Sequence, residues 1–312
     1  MKEFRDRVHA AVEAVIRGQT ATVDALLIAA LVGGHVLLEG VPGTAKTLLA
    51  RAMAKALGVA FARAQFTPDM LPSDLTGTMT LRQGELSFRP GPVFTNLLLA
   101  DEINRTPPKT QAALLEAMEE RQVTVDGVSR PLPEPFLVVA TQNPIEYEGT
   151  YPLPEAQLDR FVMKIEVDYP SEEHERAILA LARTGLAPSG LDDIEAVIDG
   201  PGLLALRDVV DDTHVEEEVA GYVVALVRRT RELPSVELGA SPRAAVHLLG
   251  AARALARLSG RDFVTPDDIS RLAPSVLTHR ILIRPEAELE GYRPHDAVAA
   301  ALGVGAIVAS GL

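Results

Sequence analysis

The spacing of apolar and polar positions changes along the chain and divides it in two. Up to residue 168, short strand-like runs at 35–39, 59–65, 96–101 and 136–140 alternate with stretches of helical spacing. The helical stretches cover 3–17, 20–32, about 45–57 and about 106–120. Short apolar runs that alternate with amphipathic helices are typical of a parallel α/β sheet.

Two segments interrupt this alternation, and a different pattern follows it. Residues 75–94 and 122–131 alternate around turn residues, which predicts two hairpins, the second turning at Asp126-Gly127. After Tyr169, helical spacing dominates, with predicted helix starts at Ser171, Ser241 and Thr265. The last two place an N-cap residue before proline. We therefore predict an α/β domain over 1–169 and a smaller, all-helical domain over 170–312.

Composition supports a folded protein and excludes several classes. Apolar residues make up 47% of the 312 residues and charged residues 23%, which is enough apolar material for a core. Cysteine is absent, so disulfides, thiolate nucleophiles and cysteine-based metal sites are excluded, and we expect a cytoplasmic protein. We expect no direct membrane insertion, since the uncharged terminal segment 297–312 is short and interrupted by glycine.

The charge balance argues against a nucleic-acid platform. The formal net charge is −13, and the excess of acid is shared by both parts of the chain. Residues 1–168 contain 16 basic and 21 acidic residues, and the remainder contains 14 and 22. Neither part has the basic surplus that binding to a phosphate backbone requires, so we expect no nucleic-acid partner. The seven histidines show no metal-ligand spacing.

A glycine-rich turn between the run at 35–39 and the next helix is a candidate phosphate-binding loop. Its sequence, Gly40-Val41-Pro42-Gly43-Thr44-Ala45-Lys46-Thr47, follows the pattern G-x-x-x-x-G-K-[ST] except at Ala45. In such a loop, backbone N–H groups and a helix N-terminus converge on phosphate oxygens. We expect Lys46 to neutralise the β- and γ-phosphates and Thr47 to ligate Mg²⁺. Alanine at position 45 suits such a loop if that residue has a helical φ, at which its methyl group costs nothing.

An acid pair ends the run at 96–101. Asp101 and Glu102 follow four apolar residues and lie 55 positions after Lys46. Ligands of open parallel sheets bind at the carboxyl ends of the strands. We therefore expect Asp101 to hold Mg²⁺ through water, and Glu102 to orient and deprotonate an attacking water.

These two motifs resemble the Walker A and Walker B motifs of AAA+ ATPases. Three longer strings, at 101–111, 140–144 and 153–161, resemble the MoxR branch of that family, and the resemblance covers about residues 15–295. It implies a P-loop AAA+ α/β sandwich followed by a helical lid, with ATP and Mg²⁺ as cofactors. The nucleotide-binding residues it implies are Gln19, Gly40, Val41, Pro42, Gly43, Thr44, Ala45, Lys46, Thr47 and Leu48.

The resemblance also implies roles for residues outside the two motifs. Asn143 matches sensor 1, which contacts the attacking water or the γ-phosphate, and a neutral amide can both donate and accept there. Arg160 matches the arginine finger, which reaches the nucleotide of a neighbouring subunit. Arg243 matches sensor 2 on a lid helix. The segment 15–19 matches the adenine side, although Arg17 stands where a small apolar residue is frequent. Both predicted hairpins match elements that face a central pore.

Four functional hypotheses follow. The first is a ring-forming ATPase, a homo-oligomer expected to be hexameric, which remodels a client protein together with a von Willebrand factor A domain partner. The second is a motor subunit of the magnesium-chelatase type. A nucleic-acid motor or loader is disfavoured by the charge balance. A nucleotide-binding module without hydrolysis is disfavoured by the complete set Lys46, Asp101, Glu102, Asn143 and Arg160.

Overall fold

The computed structural model describes residues 1–41, 43–82, 85–143, 149–167, 169, 172, 176 and 190–309. The chain forms two compact units that interleave along the sequence. The sheet unit comprises Glu3–Leu153 and Ile165–Ala205, and the helical unit comprises Met1–Lys2, Pro154–Lys164 and Leu206–Leu312. The division of the chain at residue 169 remains a prediction.

The strands confirm the predicted α/β pattern. In chain order they are β1 (Val36–Glu39), β2 (Phe61–Gln65), β3 (Gly77–Arg82), β4 (Glu85–Pro90), β5 (Leu97–Asp101), β6 (Gln122–Val125), β7 (Val128–Pro131), β8 (Leu137–Gln142), β9 (Met163–Glu166), β10 (Val236–Leu238) and β11 (Leu282–Ile283). Five of them form one sheet in the order β2-β5-β8-β1-β9. The pairs β2/β5, β5/β8 and β8/β1 are parallel. Strands β5 and β8 are buried almost throughout, as their apolar sequences require.

Helices account for most of the remaining described residues. They are α1 (Lys2–Glu13), α2 (Thr20–Leu31), α3 (Lys46–Ala56), α4 (Pro72–Thr76), α5 (Pro108–Glu120), α6 (Glu155–Leu158), α7 (Gly200–Asp211), α8 (Glu217–Glu232), α9 (Pro242–Leu258), α10 (Pro266–Leu277), α11 (Pro285–Leu289) and α12 (Pro294–Ala309). Short 3-10 helices span Ile103–Arg105 and Thr278–Arg280. No helix within the described part of the chain is both long and apolar enough to span a membrane.

Helix starts in the helical unit agree with the sequence. Ser241 caps α9 by accepting a hydrogen bond from the Ala244 N–H at 3.2 Å, and Pro242 occupies the first helical position. Thr265 and Asp268 form a capping box at the start of α10. The predicted helix start at Ser171 lies outside the described residues.

The first helix ends earlier than its apolar spacing predicts. Helical spacing extends to residue 17, but α1 ends at Glu13. Directly after Glu13 the bonding changes, because the Val15 N–H donates to the Val12 oxygen, three positions back, at 3.0 Å. Gly18 then lies in the left-handed region with φ +79°, which separates this segment from α2. Helix α1 is joined to α2 by Asp24, whose carboxylate accepts hydrogen bonds from Arg5 and contacts His9.

Both predicted hairpins are present. Strands β3 and β4 pair antiparallel, with Leu81 opposite Leu86. Strands β6 and β7 turn at Asp126 and Gly127, which both have positive φ, as a two-residue hairpin turn of the primed type requires. The two hairpins touch, since the Arg130 guanidinium lies 4.0 Å from the centre of the Phe88 ring.

Candidate active site

The glycine-rich turn joins the carboxyl end of β1 to the first turn of α3. Lys46 begins the helix, and its ammonium donates to the carbonyl oxygens of Gly40 and Val41, the latter at 3.0 Å. The Thr44 hydroxyl donates to the same Val41 oxygen at 3.1 Å. The loop thus folds around the Lys46 side chain at a helix N-terminus, which is the arrangement that binds phosphate. Pro42 lies outside the described residues.

Ala45 does not meet the condition under which its methyl group would cost nothing. Its φ is +58° and its ψ is 22°, so it adopts the left-handed conformation rather than a helical one. A left-handed alanine costs roughly 1–2 kcal/mol, because its Cβ approaches a backbone oxygen. The residue immediately precedes α3, and its carbonyl already accepts the Leu49 N–H at 2.9 Å. The turn therefore requires a positive φ here, which explains why the common motif has glycine at this position.

Gly40 is required by the sheet that supports the loop. A Cβ at this position would lie 2.3 Å from the Val167 carbonyl oxygen. Val167 itself donates to the Glu39 oxygen at 2.7 Å, and the Gly40 N–H donates to the Gln142 oxygen at 3.2 Å. The loop consequently starts from a point where three backbone segments meet, and its position relative to the strand ends is fixed.

Lys46 is partly buried and lies close to both acids of the candidate site. Burial lowers the pKa of its ammonium group, while the negative charges of Asp101 and Glu102 oppose this shift. The lowered pKa means that the charged ammonium group is less well solvated in the site than in water. An additional negative group, such as a phosphate, would therefore stabilise the charged form.

Both carboxylate oxygens of Asp101 are engaged. Asp101 ends β5, and its side chain is 12% exposed. Its Oδ1 accepts the Thr141 hydroxyl at 2.6 Å, and its Oδ2 accepts Arg63 Nε and Nη2 at 3.0 and 2.7 Å. Arg63 comes from β2, where it lies opposite Leu99 of β5. Asp101 is thus held in one orientation by the strands on both sides of β5.

Glu102 occupies a strained backbone position directly after the strand. Its φ and ψ are 58° and 50°, in the left-handed region that costs a non-glycine residue of order 1–3 kcal/mol. Its N–H donates to Thr141 Oγ1 at 2.9 Å, and its carboxylate accepts Arg105 Nη1 at 3.0 Å. The Arg105 ion pair restrains the Glu102 carboxylate at one oxygen.

Thr141 connects the two acids, and the sequence did not identify it. Its hydroxyl donates to Asp101 and accepts from the Glu102 N–H, so one buried oxygen orients both residues. Arg63 and Arg105 were also missed as partners of these acids. The contact of Thr141 follows from the parallel register of β5 and β8, which pairs Ala100 with Ala140, and a single sequence does not reveal strand register.

Thr141→Val should slow ATP hydrolysis about 10–100-fold with little change in nucleotide affinity. Valine keeps the shape of threonine but removes both hydrogen bonds, and bonds to charged groups are worth about 1.5–3 kcal/mol. Steady-state hydrolysis and nucleotide titration of the same preparation would check this result. Thr141→Ser keeps the hydroxyl and should retain most of the activity. Equal activity of the two variants would contradict the assigned role.

Asn143 lies at the same edge of the sheet. It directly follows β8 and is buried, with 7% of its surface exposed. In the parallel pair β1/β8, Glu39 lies opposite Gln142, so the chain reaches Gly40 and Asn143 at neighbouring points. The structure therefore brings the phosphate loop, the acid pair and Asn143 to one edge, as predicted from the carboxyl ends of the strands.

The remaining nucleotide-binding candidates surround the loop or lie on the adenine-side segment. Thr47 and Leu48 occupy the first turn of α3 and are partly exposed. Gln19 precedes α2, and its Oε1 accepts the Thr22 hydroxyl at 2.8 Å. An open pocket of about 420 Å³ is lined by Glu13, Ala14, Arg17 and Gly18. Arg17, whose role the sequence left open, thus lines a pocket.

The two predicted arginines lie in the helical unit. Arg160 follows α6, and Arg243 lies in the first turn of α9. Their neighbours are bonded directly, because Ser241 Oγ donates to both carboxylate oxygens of Asp159 at 2.9 and 3.1 Å. The structure therefore brings the segments that carry Arg160 and Arg243 together.

The residues at the sheet edge fit a magnesium–nucleotide complex. The partly buried Lys46 ammonium at the start of α3 suits the phosphates, and the Thr47 hydroxyl and the Asp101 carboxylate are hard oxygen ligands of the kind that Mg²⁺ prefers. A strand, a glycine-rich turn and a helix, with an acid pair at a nearby strand end, define a P-loop nucleoside triphosphatase.

Comparisons with known proteins agree with this class. The family described as "ATPase family associated with various cellular activities (AAA)" matches residues 35–163, and the AAA lid domain matches residues 228–301. YeaC of Bacillus subtilis is 51% identical over 85% of this chain and 82% of its own length. Chaperone MoxR1 of Mycobacterium tuberculosis is 47% identical over 91% of this chain and 77% of its own length.

A solved structure supports the same family assignment. A crystal structure of a protein from Cytophaga hutchinsonii, proposed to be an ATPase, superposes with a TM-score of 0.89 at 42% identity. The superposition covers 96% of this chain and 94% of the Cytophaga hutchinsonii chain. The chain belongs to the MoxR family of AAA+ ATPases.

Proposed function

We propose that this protein hydrolyses ATP in a Mg²⁺-dependent reaction and uses the energy to remodel or mature partner proteins. The observation that carries the proposal is the edge of the sheet where the phosphate loop follows β1 and the acid pair follows β5. Thr141 bonds both acids there, and the charges of both acids act on Lys46. This arrangement provides a phosphate-binding group, a metal-binding group and a base.

Each residue of the set has a role in this reaction. The N–H groups of the loop and Lys46 bind the phosphates, and Thr47 and Asp101 hold Mg²⁺, Asp101 through water. Held by these residues, Mg²⁺ would supply positive charge against the phosphate oxygens. Glu102 orients the attacking water and accepts its proton, and Asn143 positions that water or the γ-phosphate. Arg243 contacts the γ-phosphate from the lid.

We further propose that the active subunits form a homo-oligomeric ring, expected to be hexameric, in the cytoplasm. Arg160 of one subunit would complete the site of its neighbour. Within a ring, the two hairpins would face the pore and contact a client protein. Leu81 and Leu86 support this idea, because they lie opposite each other on β3 and β4 and are 73% and 70% exposed.

The choice of a protein client rests on a relative. The Mycobacterium tuberculosis relative is named a chaperone, which favours protein maturation. The partner we expect, a von Willebrand factor A domain protein, rests on the family resemblance of the sequence alone. A magnesium-chelatase-type motor would use the same ATPase chemistry and remains the alternative. The net charge of −13 disfavours a nucleic-acid motor. A purified von Willebrand factor A domain partner that stimulates hydrolysis would support the first choice, and stimulation by chelatase subunits alone would support the second.

Lys46→Ala tests the phosphate loop itself. The ammonium group makes charge-assisted contacts worth about 1.5–3 kcal/mol, so the variant should bind ATP about 10–100-fold more weakly. Titration with a fluorescent ATP analogue measures this change. Lys55→Ala is the matched control, since Lys55 lies on the same helix but pairs with Asp192 at 2.6 Å. If both variants bind ATP like the unmodified protein, the loop is assigned wrongly.

A further inference from the structure

Arg280 is a buried charge whose role none of the motifs explains. It ends the 3-10 helix Thr278–Arg280, and its side chain is 1% exposed. All three of its nitrogens donate hydrogen bonds inside the helical unit. Nε donates to Asp159 Oδ1 at 2.7 Å, and Nη2 donates to the carbonyl oxygens of Asp159 and Phe161 at 3.1 and 2.6 Å. Removing the Arg280 charge from water costs desolvation free energy, which this set of hydrogen bonds offsets.

The acceptors flank Arg160 on both sides. Asp159 precedes it, Phe161 follows it, and Nη1 reaches the next carbonyl, that of Val162, at 3.3 Å. The preceding helix α6 has only four residues, and none of them is buried. Apolar anchoring of the turn comes instead from the residues after Arg160, since Phe161 and Val162 are 0% and 2% exposed. The Arg280 guanidinium adds a polar anchor, because it binds the carbonyl oxygens on both sides of Arg160.

Further contacts extend the anchor to the lid helices. His279 Nε2 donates to the Phe161 oxygen at 3.1 Å, and Ser241 Oγ bonds the Asp159 carboxylate while it caps α9. His247, on α9, accepts from Arg280 Nη2 through Nδ1 at 2.6 Å. Burial lowers the pKa of His247 to about 4, so the ring is neutral and able to accept at neutral pH. The turn that carries Arg160 is thus bonded to α9 as well as to Arg280.

We propose that Arg280 is a positioning residue that fastens the Arg160 turn to the lid, so that the lid and the trans-acting arginine move as one body. The proposal rests on the proposed function in one respect, namely that Arg160 acts on a neighbouring subunit. The fastening itself is a property of one chain and is testable alone.

Hydrogen–deuterium exchange tests the fastening in the full-length protein. Lysine at position 280 keeps a charge but offers a single nitrogen, which cannot reach Asp159, Phe161, Val162 and His247 together. In Arg280→Lys, the amides of residues 159–161 should exchange at least tenfold faster, while those of α8 should keep their rates. Unchanged exchange at 159–161, or an equal rise throughout the helical unit, would overturn the proposal.

Two further variants make the result specific. Arg261→Lys is a matched control, because Arg261 pairs with Asp268 through two bonds of 2.6 and 2.8 Å in the same unit but outside this network. It should leave exchange at 159–161 unchanged. Asp159→Asn removes the charge that faces Arg280 and Ser241 while keeping the size of the side chain, and it should raise exchange at 160–161 at least threefold. No rise in Asp159→Asn would count against the anchor independently of Arg280→Lys.

A mixing experiment tests the consequence for activity. Lys46→Ala subunits, which keep Arg160, should restore hydrolysis to Arg160→Ala subunits, which keep an intact phosphate loop. When the Lys46→Ala subunits also carry Arg280→Lys, the recovered rate should be at least tenfold lower. When they carry Arg261→Lys instead, the recovered rate should not fall. Adding Arg280→Lys to the Arg160→Ala subunits instead should change the recovery less than twofold, because their arginine is already absent. An equal loss from either placement would overturn positioning of Arg160 by Arg280.

The two experiments separate the proposals. If the mixture of Lys46→Ala and Arg160→Ala recovers no activity although the subunits mix, the shared site is wrong. The hydrogen–deuterium exchange rates of amides 159–161 then still decide whether Arg280 fastens the turn. If that mixture recovers activity, and Arg280→Lys in the Lys46→Ala subunits has no more effect than Arg261→Lys there, the shared site stands. The role of Arg280 is then overturned.

Discussion

Glu102→Gln should leave ATP bound and slow its hydrolysis about 10²–10⁴-fold, the usual contribution of a positioned acid–base group. Glutamine keeps the volume of the side chain and an oxygen that can accept from Arg105, so the strained turn at Glu102 should be preserved. What it lacks is the ability to accept a proton from water. Single-turnover hydrolysis, measured beside equilibrium binding of the same nucleotide, separates the two effects.

The control for this variant is the same chemical change elsewhere in the sheet unit. Glu116 is exposed on α5, and Glu116→Gln should hydrolyse ATP at the unmodified rate. If Glu102→Gln retains turnover within about twofold of Glu116→Gln, Glu102 is not the base. If it loses nucleotide binding instead, its carboxylate serves the structure of the site.

The strand ends explain why so much of the site is readable from the sequence. A short apolar run that ends in Asp101-Glu102, and another that ends before Gly40, place both motifs at carboxyl ends of parallel strands without any knowledge of strand order. The predicted hairpins and the capped starts of α9 and α10 are local as well, because turn and cap residues act within three or four positions.

The contacts that complete the site depend on the tertiary structure. Thr141 lies beside Asp101 only because β5 and β8 pair in one particular register, and Arg63 reaches the same carboxylate from β2. Nothing within the local sequence of these residues encodes that proximity. Backbone strain is similarly hidden from the sequence. Ala45 lacks the helical φ that would suit alanine, because the turn, not the residue type, determines the angle.

The helical unit shows the same limit. Ser241 and Thr265 were recognised as helix caps, but the bond from Ser241 to Asp159 joins residues 82 positions apart. The network around Arg280 is equally non-local, with partners at Asp159 and Phe161, which lie 121 and 119 positions away. Sequence spacing predicts which residues begin a helix, whereas the assignment of 154–164 to the helical unit requires the folded chain.

Arg160→Ala should bind ATP almost normally and hydrolyse it about 10³–10⁵-fold more slowly, the range found for arginines supplied in trans in well-studied phosphoryl transfer. The permanently charged, planar guanidinium suits the spread charge of the transferring phosphoryl group. Arg293→Ala is the control, because Arg293 is an exposed arginine of the same unit, paired with Glu288 at 3.4 Å. It should hydrolyse ATP at the unmodified rate.

A mixture of two inactive variants distinguishes a shared site from a defect within one subunit. Lys46→Ala subunits have an impaired phosphate loop and an intact Arg160, and Arg160→Ala subunits have the reverse. In a mixed ring, some interfaces join an intact loop to an intact arginine, so activity should return in the mixture although each component lacks it. The recovered rate per subunit should rise with protein concentration, because the interface must assemble first. Verified exchange of subunits without any recovery would exclude sharing through Arg160, and full turnover by monomeric Arg160→Ala would exclude the ring mechanism itself.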